Sequence, residues 1–118
     1  MLVVDDEKEI RDAIEIYLKN EGITVLKASD GLEALDILME QTVHLILMDI
    51  MMPNMNGYET MTIIRQTMNL TEIPIIALTA KAMKNDREKC LEAGASDYIS
   101  KPLDLDQLYS VLRVWLAK

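Results

Sequence analysis

With 118 residues, half of them hydrophobic, the chain has room for one compact domain, and we expect that domain to span residues 1–118. The formal charge of −8 at pH 7 argues against direct binding of nucleic acid, because phosphate backbones are bound by basic surfaces. No apolar run approaches the roughly 18 residues of a membrane span. The first residues do not show the pattern of a signal peptide and the chain has one cysteine, so we expect no membrane insertion and a cytoplasmic location.

Short apolar runs bounded by turn residues predict the strands of a buried parallel sheet. The first run, Met1 to Val4, stops at two aspartates, and the third, Leu45 to Met48, stops at Asp49. Runs of this length between turn signals are typical of strands that are covered on both faces. The other predicted strands are Thr24 to Ala28, Pro74 to Leu78, and Asp97 to Ser100.

Capping residues predict where the helices between these strands begin and end. Asp30 and Asn56 each stand three residues before a glutamate, which is the spacing of a capping box, and Asp104 is the predicted N-cap of the last helix. Gly22 and Gly94 are the predicted stops of the first and fourth helices, because glycine readily adopts the left-handed conformation found there.

Apolar residues at helical spacing predict which face of each helix packs on the sheet. The fourth helix, at about Met83 to Glu92, is polar and charged and has no such face. The predicted packing positions in the other four helices are Ile10, Ala13, Ile14, Tyr17 and Leu18; Leu32, Leu35, Leu38 and Met39; Met61, Ile64 and Met68; and Leu105, Leu108, Leu112, Trp115 and Leu116.

The alternation of strand and helix predicts an α/β fold, a doubly wound five-stranded parallel sheet with five helices. Right-handed crossovers send the C-terminal end of every strand to one edge of the sheet, where open parallel sheets bind their ligands. That edge would gather Asp5 and Asp6 from the first strand, Asp49 from the third, Thr79 from the fourth and Lys101 from the fifth.

These five side chains predict a site for phosphoryl chemistry. Crowded carboxylates raise one another's pKa unless a cation neutralises them, and oxygen ligands suit a hard ion such as Mg²⁺. Opposite the acids, Lys101 and the Thr79 hydroxyl could hold the oxygens of a phosphoryl group. Asp49 then becomes the candidate nucleophile that forms an acyl phosphate.

Four motifs stand at the ends of the predicted strands: Val3-Val4-Asp5-Asp6-Glu7, Met48-Asp49-Ile50-Met51-Met52-Pro53 with Asn56-Gly57, Leu78-Thr79-Ala80, and Gly94-Ala95 through Tyr98-Ile99 to Lys101-Pro102. From end to end the chain resembles the response-regulator receiver domains of two-component signalling, whose fold is shared with the chemotaxis regulator. The resemblance implies a flavodoxin-like sheet with strand order 2-1-3-4-5 and a cis peptide bond before Pro102.

The resemblance also implies a metal site. It makes Asp49 the phospho-acceptor and makes Asp6 and Asp49 direct ligands of Mg²⁺, or of Mn²⁺ in its place. The Met51 backbone carbonyl would be the third protein ligand. Asp5 would act on the metal largely through water.

Around the phosphoryl group, the resemblance implies backbone N–H groups of Met51 and Ala80, together with Thr79 Oγ and Lys101 Nζ. The phosphodonor would be a phosphohistidine of a sensor histidine kinase or of a histidine phosphotransfer domain. The output would be a downstream protein or a fused effector, and the domain would catalyse its own phosphorylation and dephosphorylation.

For the output, the resemblance implies that Tyr98 is a rotamer switch that packs inward when Asp49 is phosphorylated. The surface that reads the signal would be the fourth helix, the fifth strand and the fifth helix. Its predicted members are Cys90, Tyr98, Ser100, Tyr109 and Arg113.

Other interpretations stay open at this point. A phosphatase or phosphotransferase of the haloacid-dehalogenase type also forms an aspartyl phosphate, but it needs a second aspartate where this chain has Met51. A receiver used only as a docking scaffold would not need the acids, the threonine and the lysine that are all present. The chain can be a stand-alone receiver, part of a larger regulator or hybrid kinase, or an engineered chimera.

Overall fold

A computed structural model describes residues 1–52, 55–79 and 84–116, except for the side chains of residues 84–86. Five parallel strands form one sheet in the order β2-β1-β3-β4-β5. The strands are β1 (Leu2–Val4), β2 (Leu26–Ala28), β3 (Ile46–Asp49), β4 (Ile75–Thr79) and β5 (Asp97–Ser100). The predicted doubly wound α/β fold and its flavodoxin-like strand order are both confirmed.

Five helices connect the strands and cover the sheet. They are α1 (Lys8–Asn20), α2 (Gly31–Glu40), α3 (Gly57–Thr62), α4 (Lys84–Ala93) and α5 (Leu105–Leu116). A π-helical turn, Ile63–Thr67, continues α3 and has no counterpart in the sequence prediction. The predicted start of the fourth helix, Met83, lies outside the described residues. Within the described ranges, no helix is long and apolar enough to cross a membrane.

The three central strands, β1, β3 and β4, bury both of their faces, as their apolar runs predict. The edge strand β2 instead exposes Lys27. One face of the sheet packs on α1 and α5, and the other packs on α2, α3 and α4. The first core contains Val3, Ile14, Leu18, Leu47, Ile76, Leu78, Ile99, Leu108 and Leu112. The second contains Leu2, Val4, Ala34, Leu38, Ile46, Met48, Met61, Ile64, Ile75, Ala77 and Cys90. The buried polar side chains of the central strands, Asp5, Asp49 and Thr79, therefore lie where these strands end.

The helix starts follow the predicted capping residues, with one difference. The Asn56–Glu59 box is complete, since each side chain accepts a hydrogen bond from the other residue's backbone N–H. The Asp30 carboxylate accepts from the Glu33 N–H at 2.8 Å, but the Glu33 carboxylate accepts from the Ser29 hydroxyl. The capping box at Asp30 is therefore only half formed, because the Glu33 carboxylate binds the Ser29 hydroxyl and not the Asp30 N–H.

The remaining backbone predictions are also confirmed. Asp104 caps α5, because its carboxylate accepts from the N–H groups of Asp106 and Gln107. Gly22 and Gly94 take positive φ angles of +80° and +117° behind α1 and α4. The Lys101–Pro102 peptide bond is cis.

Several predicted packing positions were wrong. Ala13 is exposed on α1, and Leu32 and Met39 are 54% and 77% exposed on α2. In α2 the buried face runs through Ala34 and Leu38, so the helix is rotated relative to the predicted stripe. Leu116 is 42% exposed in the last turn of α5, and Cys90 is fully buried instead of lying on the output surface.

Candidate functional site

The ends of β1 and β3 bring the carboxylates together. These strands are neighbours with Val4 opposite Met48, so the residues that follow each of them lie side by side. Asp5 and Asp49 are buried, whereas Asp6 is exposed. Each of the three aspartates offers one carboxylate oxygen, and these oxygens all lie within 4.8 Å of one another.

Two contacts hold Asp5 in place at the start of α1. Its Oδ1 accepts a hydrogen bond from the Glu7 N–H at 2.9 Å, which turns the chain into the helix. The Arg11 guanidinium donates from Nη1 to the Asp5 backbone oxygen at 2.6 Å, one turn further along. The second oxygen of the carboxylate stays directed at the cleft.

A tight loop closure holds Asp49. The Met51 N–H donates to Asp49 Oδ1 at 3.2 Å, and the Gly57 N–H donates to the Ile50 carbonyl at 3.0 Å. A Cβ on Gly57 would lie 2.5 Å from the Asp49 backbone oxygen and 2.8 Å from Ile50 Cα. Only glycine therefore lets α3 begin this close to the end of β3.

Lys101 reaches into the cleft from the end of β5. Its backbone N–H donates to the Thr79 carbonyl at 2.6 Å, which ties the ends of β4 and β5 together. Its ammonium lies 3.4 Å from Asp5 Oδ2, 3.4 Å from Asp49 Oδ1 and 3.7 Å from Glu7 Oε1. Among the described residues, this one cation therefore contacts three carboxylates.

The electrostatics of the cleft reflect that imbalance. Burial, with the nearby charge of Asp5, raises the pKa of Asp49 to about 6, although Lys101 opposes the shift. Burial also raises the pKa of Asp5, against the effect of the Glu7 N–H and of Lys101. Burial by itself lowers the pKa of Lys101, but attraction to Asp49 and Asp5 outweighs it, so the pKa is raised.

Three buried oxygens at this edge of the sheet accept or donate no hydrogen bond among the described residues: Asp5 Oδ2, Asp49 Oδ2 and Thr79 Oγ1. Lys101 lies at ion-pair distance from the first of these oxygens without hydrogen bonding to it. Unsatisfied buried polar atoms are costly, and they need an explanation wherever they occur. Two bare carboxylate oxygens beside a third, exposed carboxylate fit the oxygen ligand set of a divalent cation.

The structure brings together four of the residues that were predicted to form the site, namely Asp5, Asp6, Asp49 and Lys101. Thr79 ends the neighbouring strand with its side chain buried, and the Met51 N–H lies against Asp49. Ala80, the other predicted backbone donor, lies outside the described residues.

Sequence reasoning missed two residues at the start of α1. Glu7 contacts Lys101, and Arg11 holds the Asp5 carbonyl. Glu7 was part of the first strand-end motif but was given no role, and Arg11 was given none either. A signal was available for Glu7, since glutamate is not among the residues that usually cap helices.

Comparison with known proteins identifies the fold and the cleft. The response regulator receiver domain family matches residues 1–113. The chain belongs to that family. Receiver domains bind Mg²⁺ in an acidic pocket, and this receiver domain has such a pocket at Asp5, Asp6 and Asp49.

Curated relatives of this receiver domain are longer proteins. The transcriptional regulatory protein CpxR of Escherichia coli strain K12 is 39% identical over 118 residues, which are 100% of this chain and 49% of CpxR. The probable transcriptional regulator ycf29 of Pyropia yezoensis is 38% identical over all 118 residues and 53% of its own length. The receiver domain thus spans about half the length of these relatives.

Solved receiver domains share its architecture. The receiver domain of a sensor histidine kinase from Pseudomonas aeruginosa PAO1 is 38% identical, with a TM-score of 0.89 over 99% of this chain and 96% of that one. That structure has a magnesium ion coordinated in its active site cleft. The chemotaxis protein CheY4 of Vibrio cholerae is 29% identical, with a TM-score of 0.91 over 97% of this chain and 95% of that one.

Proposed function

We propose that residues 1–118 are one receiver domain that accepts a phosphoryl group on Asp49 from a phosphohistidine of a partner protein. The partner is a sensor histidine kinase or a histidine phosphotransfer domain. The placement of Asp49 carries the proposal: it is a buried carboxylate with one unsatisfied oxygen, and an ammonium lies 3.4 Å from it. The neighbouring strand ends in a buried hydroxyl, that of Thr79, without a partner among the described residues. These are the groups that a transferred phosphoryl group needs.

In the transfer, a carboxylate oxygen of Asp49 attacks the phosphorus atom. The new O–P bond forms as the P–N bond to the partner's imidazole breaks. The imidazole leaves with the electron pair of that bond and is then protonated. Lys101 Nζ, Thr79 Oγ and the N–H groups of Met51 and Ala80 bind the phosphoryl oxygens.

Asp6, Asp49 and the Met51 carbonyl are the proposed direct ligands of Mg²⁺, and Asp5 binds it through water. Mn²⁺ is the alternative ion, since it accepts the same oxygen ligands. A bound divalent ion neutralises the acidic cleft and the charge on the phosphoryl oxygens. Among the described residues, the excess of carboxylates over ammonium groups in the cleft supports this assignment.

A groove beside the cleft provides a place for the phosphodonor to dock. It has a volume of about 350 Å³, it is mainly apolar, and Lys101 forms the end nearest the acids. An amphipathic helix of the donor that packs in this groove would bring its phosphohistidine towards Asp49. The exposure of Ala13, unexpected from the sequence, makes it part of this surface. The groove is lined by Glu9, Ile10, Ala13, Pro102, Leu103 and Leu105, together with Lys101.

The output surface is proposed to be α4, β5 and α5, without the buried Cys90. Tyr98 is half-buried there, with the Arg87 guanidinium 5.6 Å from its ring centroid. Phosphorylation would draw Thr79 towards Asp49 and let Tyr98 pack inward. A downstream protein or a fused effector reads the change, as the longer transcriptional regulators among the relatives suggest.

The excess of 20 acidic over 12 basic residues supports an output through protein contacts, with no direct contact between this domain and nucleic acid. A cytoplasmic location and a role in signalling rather than in turnover of a separate substrate belong to the same proposal. The haloacid-dehalogenase type of phosphatase is not favoured, because Met51 stands where its second aspartate is needed and the family match is to receiver domains.

The test uses acetyl phosphate, a small donor that needs no partner. With Mg²⁺, mass spectrometry should show one phosphoryl group on the parent chain and none on Asp49→Asn. The matched control Asp36→Asn changes an exposed aspartate of α2 and should be labelled like the parent. Undiminished labelling of Asp49→Asn, or labelling of the parent in excess chelator, would overturn the proposal.

The docking groove has its own test. Ala13→Glu places a charged side chain in the groove, whereas Asn20→Glu adds the same charge at the far end of α1. Transfer from a phosphorylated histidine phosphotransfer domain should slow for Ala13→Glu only, with labelling by acetyl phosphate unchanged in both variants. Equal transfer rates for the two variants would place the donor elsewhere.

A further inference from the structure

Glu7 occupies the N-cap position of α1 but does not cap the helix. Its backbone is extended, with φ −91° and ψ 113°, and its side chain makes no hydrogen bond to the first turn. N-cap positions normally carry Ser, Thr, Asp or Asn, whose short side chains accept from the exposed N–H groups. A longer side chain that ignores those donors is placed for some other contact.

That contact is with Lys101. Glu7 Oε1 lies 3.7 Å from Lys101 Nζ, somewhat further than the 3.4 Å that separates the ammonium from Asp5 and from Asp49. The Glu7 side chain is 57% exposed, whereas the side chains of Asp5 and Asp49 are 0% and 2% exposed. Glu7 is therefore the partner of Lys101 on the solvent side, at the mouth of the cleft.

The backbone fixes Glu7 in this place. Its N–H is bound to Asp5 Oδ1, and its carbonyl accepts the first hydrogen bond of α1 from the Arg11 N–H. The side chain therefore starts from a point that moves only if the Asp5 turn moves. Lys101 contacts Asp5, Asp49 and Glu7 among the described residues. In the proposed function, Asp5 and Asp49 interact with the cation when it enters the cleft, whereas Glu7 does not.

We propose that Glu7 is a positioning residue that holds the Lys101 ammonium at the mouth of the cleft when a divalent cation binds the buried carboxylates. An incoming phosphoryl group must then break the ion pair between Glu7 and Lys101 before it can bind the ammonium. The inference rests on the proposed function of the cleft. Glu7 thereby sets how readily Lys101 moves to a phosphoryl group, and it weakens phosphoryl binding without touching the phosphoryl group itself.

The size of the effect follows from the exposure of the pair. Ion pairs with one partner in solvent are weak, so removing Glu7 should strengthen binding of a phosphoryl mimic by about two- to fivefold. Trifluoroberyllate with Mg²⁺ is the mimic, and its affinity is measured by isothermal titration calorimetry. Glu7→Gln should bind it more tightly than the parent by that factor.

Three variants separate this effect from a general change of charge. Glu40→Gln removes the same charge from the exposed end of α2 and should leave the affinity near that of the parent. Glu7→Asp keeps the charge but shortens the side chain away from Lys101, so it should behave like Glu7→Gln. In a Lys101→Met background, Glu7→Gln should have no further effect. The proposal would be overturned if Glu7→Gln increased the affinity for trifluoroberyllate equally with and without Lys101. It would also be overturned if Glu7→Asp bound the mimic with the affinity of the parent.

A second measurement does not depend on phosphoryl binding. In the Mg²⁺-loaded parent, the Lys101 ammonium should be observable by ¹⁵N NMR, because its partner at the mouth slows exchange with solvent. In Glu7→Gln the ammonium protons should exchange about twice as fast or faster, whereas in Glu40→Gln they should exchange as in the parent. Equal exchange in Glu7→Gln would overturn the proposal.

Different results would overturn the proposed function of the cleft and the proposed role of Glu7. If the parent chain binds no trifluoroberyllate and takes no label from acetyl phosphate, the proposed function of the cleft is wrong. If the parent binds the mimic and the Glu7 variants bind it equally well, only the role of Glu7 is wrong.

Discussion

Two partly buried polar clusters lie on this one sheet, and they differ in how their hydrogen bonds are satisfied. Around Arg65, the guanidinium donates to the carbonyls of Gly94 and Leu70 at 2.9 and 3.0 Å and to the Ser96 hydroxyl at 3.4 Å. Ser96 Oγ also accepts from the Ile75 N–H at 3.2 Å. Each of these groups has a partner from the chain itself. The cluster therefore stabilises the fold without any ligand.

In the acidic cleft at the opposite end of the strands, some of the buried polar groups have no hydrogen-bond partner in the described part of the chain. Among the described residues, Asp5 Oδ2, Asp49 Oδ2 and Thr79 Oγ1 are buried without a hydrogen bond. Burial lowers the pKa of Arg65 and raises the pKa of Asp49, so burial disfavours the charged form of both side chains. The Arg65 guanidinium donates to acceptors of the chain, whereas Asp49 Oδ2 accepts from no described residue. The difference shows where the fold is complete and where it needs a ligand.

Breaking the satisfied cluster should have the largest effect on stability. Arg65→Met keeps the apolar length of the side chain but leaves the carbonyls of Gly94 and Leu70 without their donors. We expect the free energy of unfolding to fall by about 2–4 kcal/mol, measured by urea denaturation. Arg113→Met removes an exposed arginine that lies 5.8 Å from the Tyr109 ring centroid and should cost less than about 1 kcal/mol. Equal losses in the two variants would contradict the comparison.

Removing a charge from the acidic cleft should have the opposite effect and increase the stability of the protein. Asp49→Asn should raise the free energy of unfolding at pH 7 without metal by about 1–3 kcal/mol, because the buried charge is lost. The pKa of Asp49 is raised from its ordinary value of 3.8 to about 6 in the folded protein, so between these pH values the folded state binds more protons than the unfolded state. The parent should therefore lose stability relative to Asp49→Asn as the pH rises from 4 to 6, with little further change above 7.

Asp36→Asn serves as the control for this measurement, since it removes one negative charge from an exposed position. We expect it to change the free energy of unfolding by less than about 0.5 kcal/mol at any pH between these limits. A difference between the parent and Asp49→Asn that does not vary with pH would show that the burial of Asp49 has no energetic consequence.

Disturbing the loop that carries Asp49 should have a smaller effect. The added methyl group of Gly57→Ala meets backbone atoms that cannot rotate away, so we expect a loss of about 1–2 kcal/mol. Because the same shift moves Asp49, the affinity for Mg²⁺ should also fall. Gly22→Ala is strained by a φ of +80° but has open space around it, so it should lose stability and keep its Mg²⁺ affinity. An unchanged Mg²⁺ affinity in Gly57→Ala would show that the loop does not position the carboxylate.

The smallest expected effect is the stabilisation by the metal itself. At a free Mg²⁺ concentration of ten times Kd, the parent should gain about 1.4 kcal/mol in the free energy of unfolding. Thermal unfolding with and without Mg²⁺ measures the gain, and Ca²⁺ gives a comparison with a larger ion. Arg65→Met should gain the same amount from Mg²⁺, whereas Asp49→Asn should gain less. A larger gain in Asp49→Asn than in the parent would place the ion elsewhere.

The sequence by itself determined the fold and most members of the cleft. Strand length, helix periodicity and the handedness of crossovers are local or generic rules, so they place Asp5, Asp49, Thr79 and Lys101 at one edge before any contact is known. The Asn56 cap could be predicted for the same reason, because its partner lies three residues away. The roles of these residues in phosphoryl transfer remain predictions.

Only the tertiary structure decided how side chains pair across long separations. Lys101 could be placed at the edge from the sequence, but its contact with Glu7 depends on two loops that are far apart in the chain. The Arg65 cluster joins residues about thirty positions apart, and no spacing rule covers such a contact. The rotation of α2, which exposes Leu32 and Met39, is likewise set by packing against neighbouring elements. Periodicity shows that a helix has an apolar face, whereas the direction of that face depends on the surfaces that it meets.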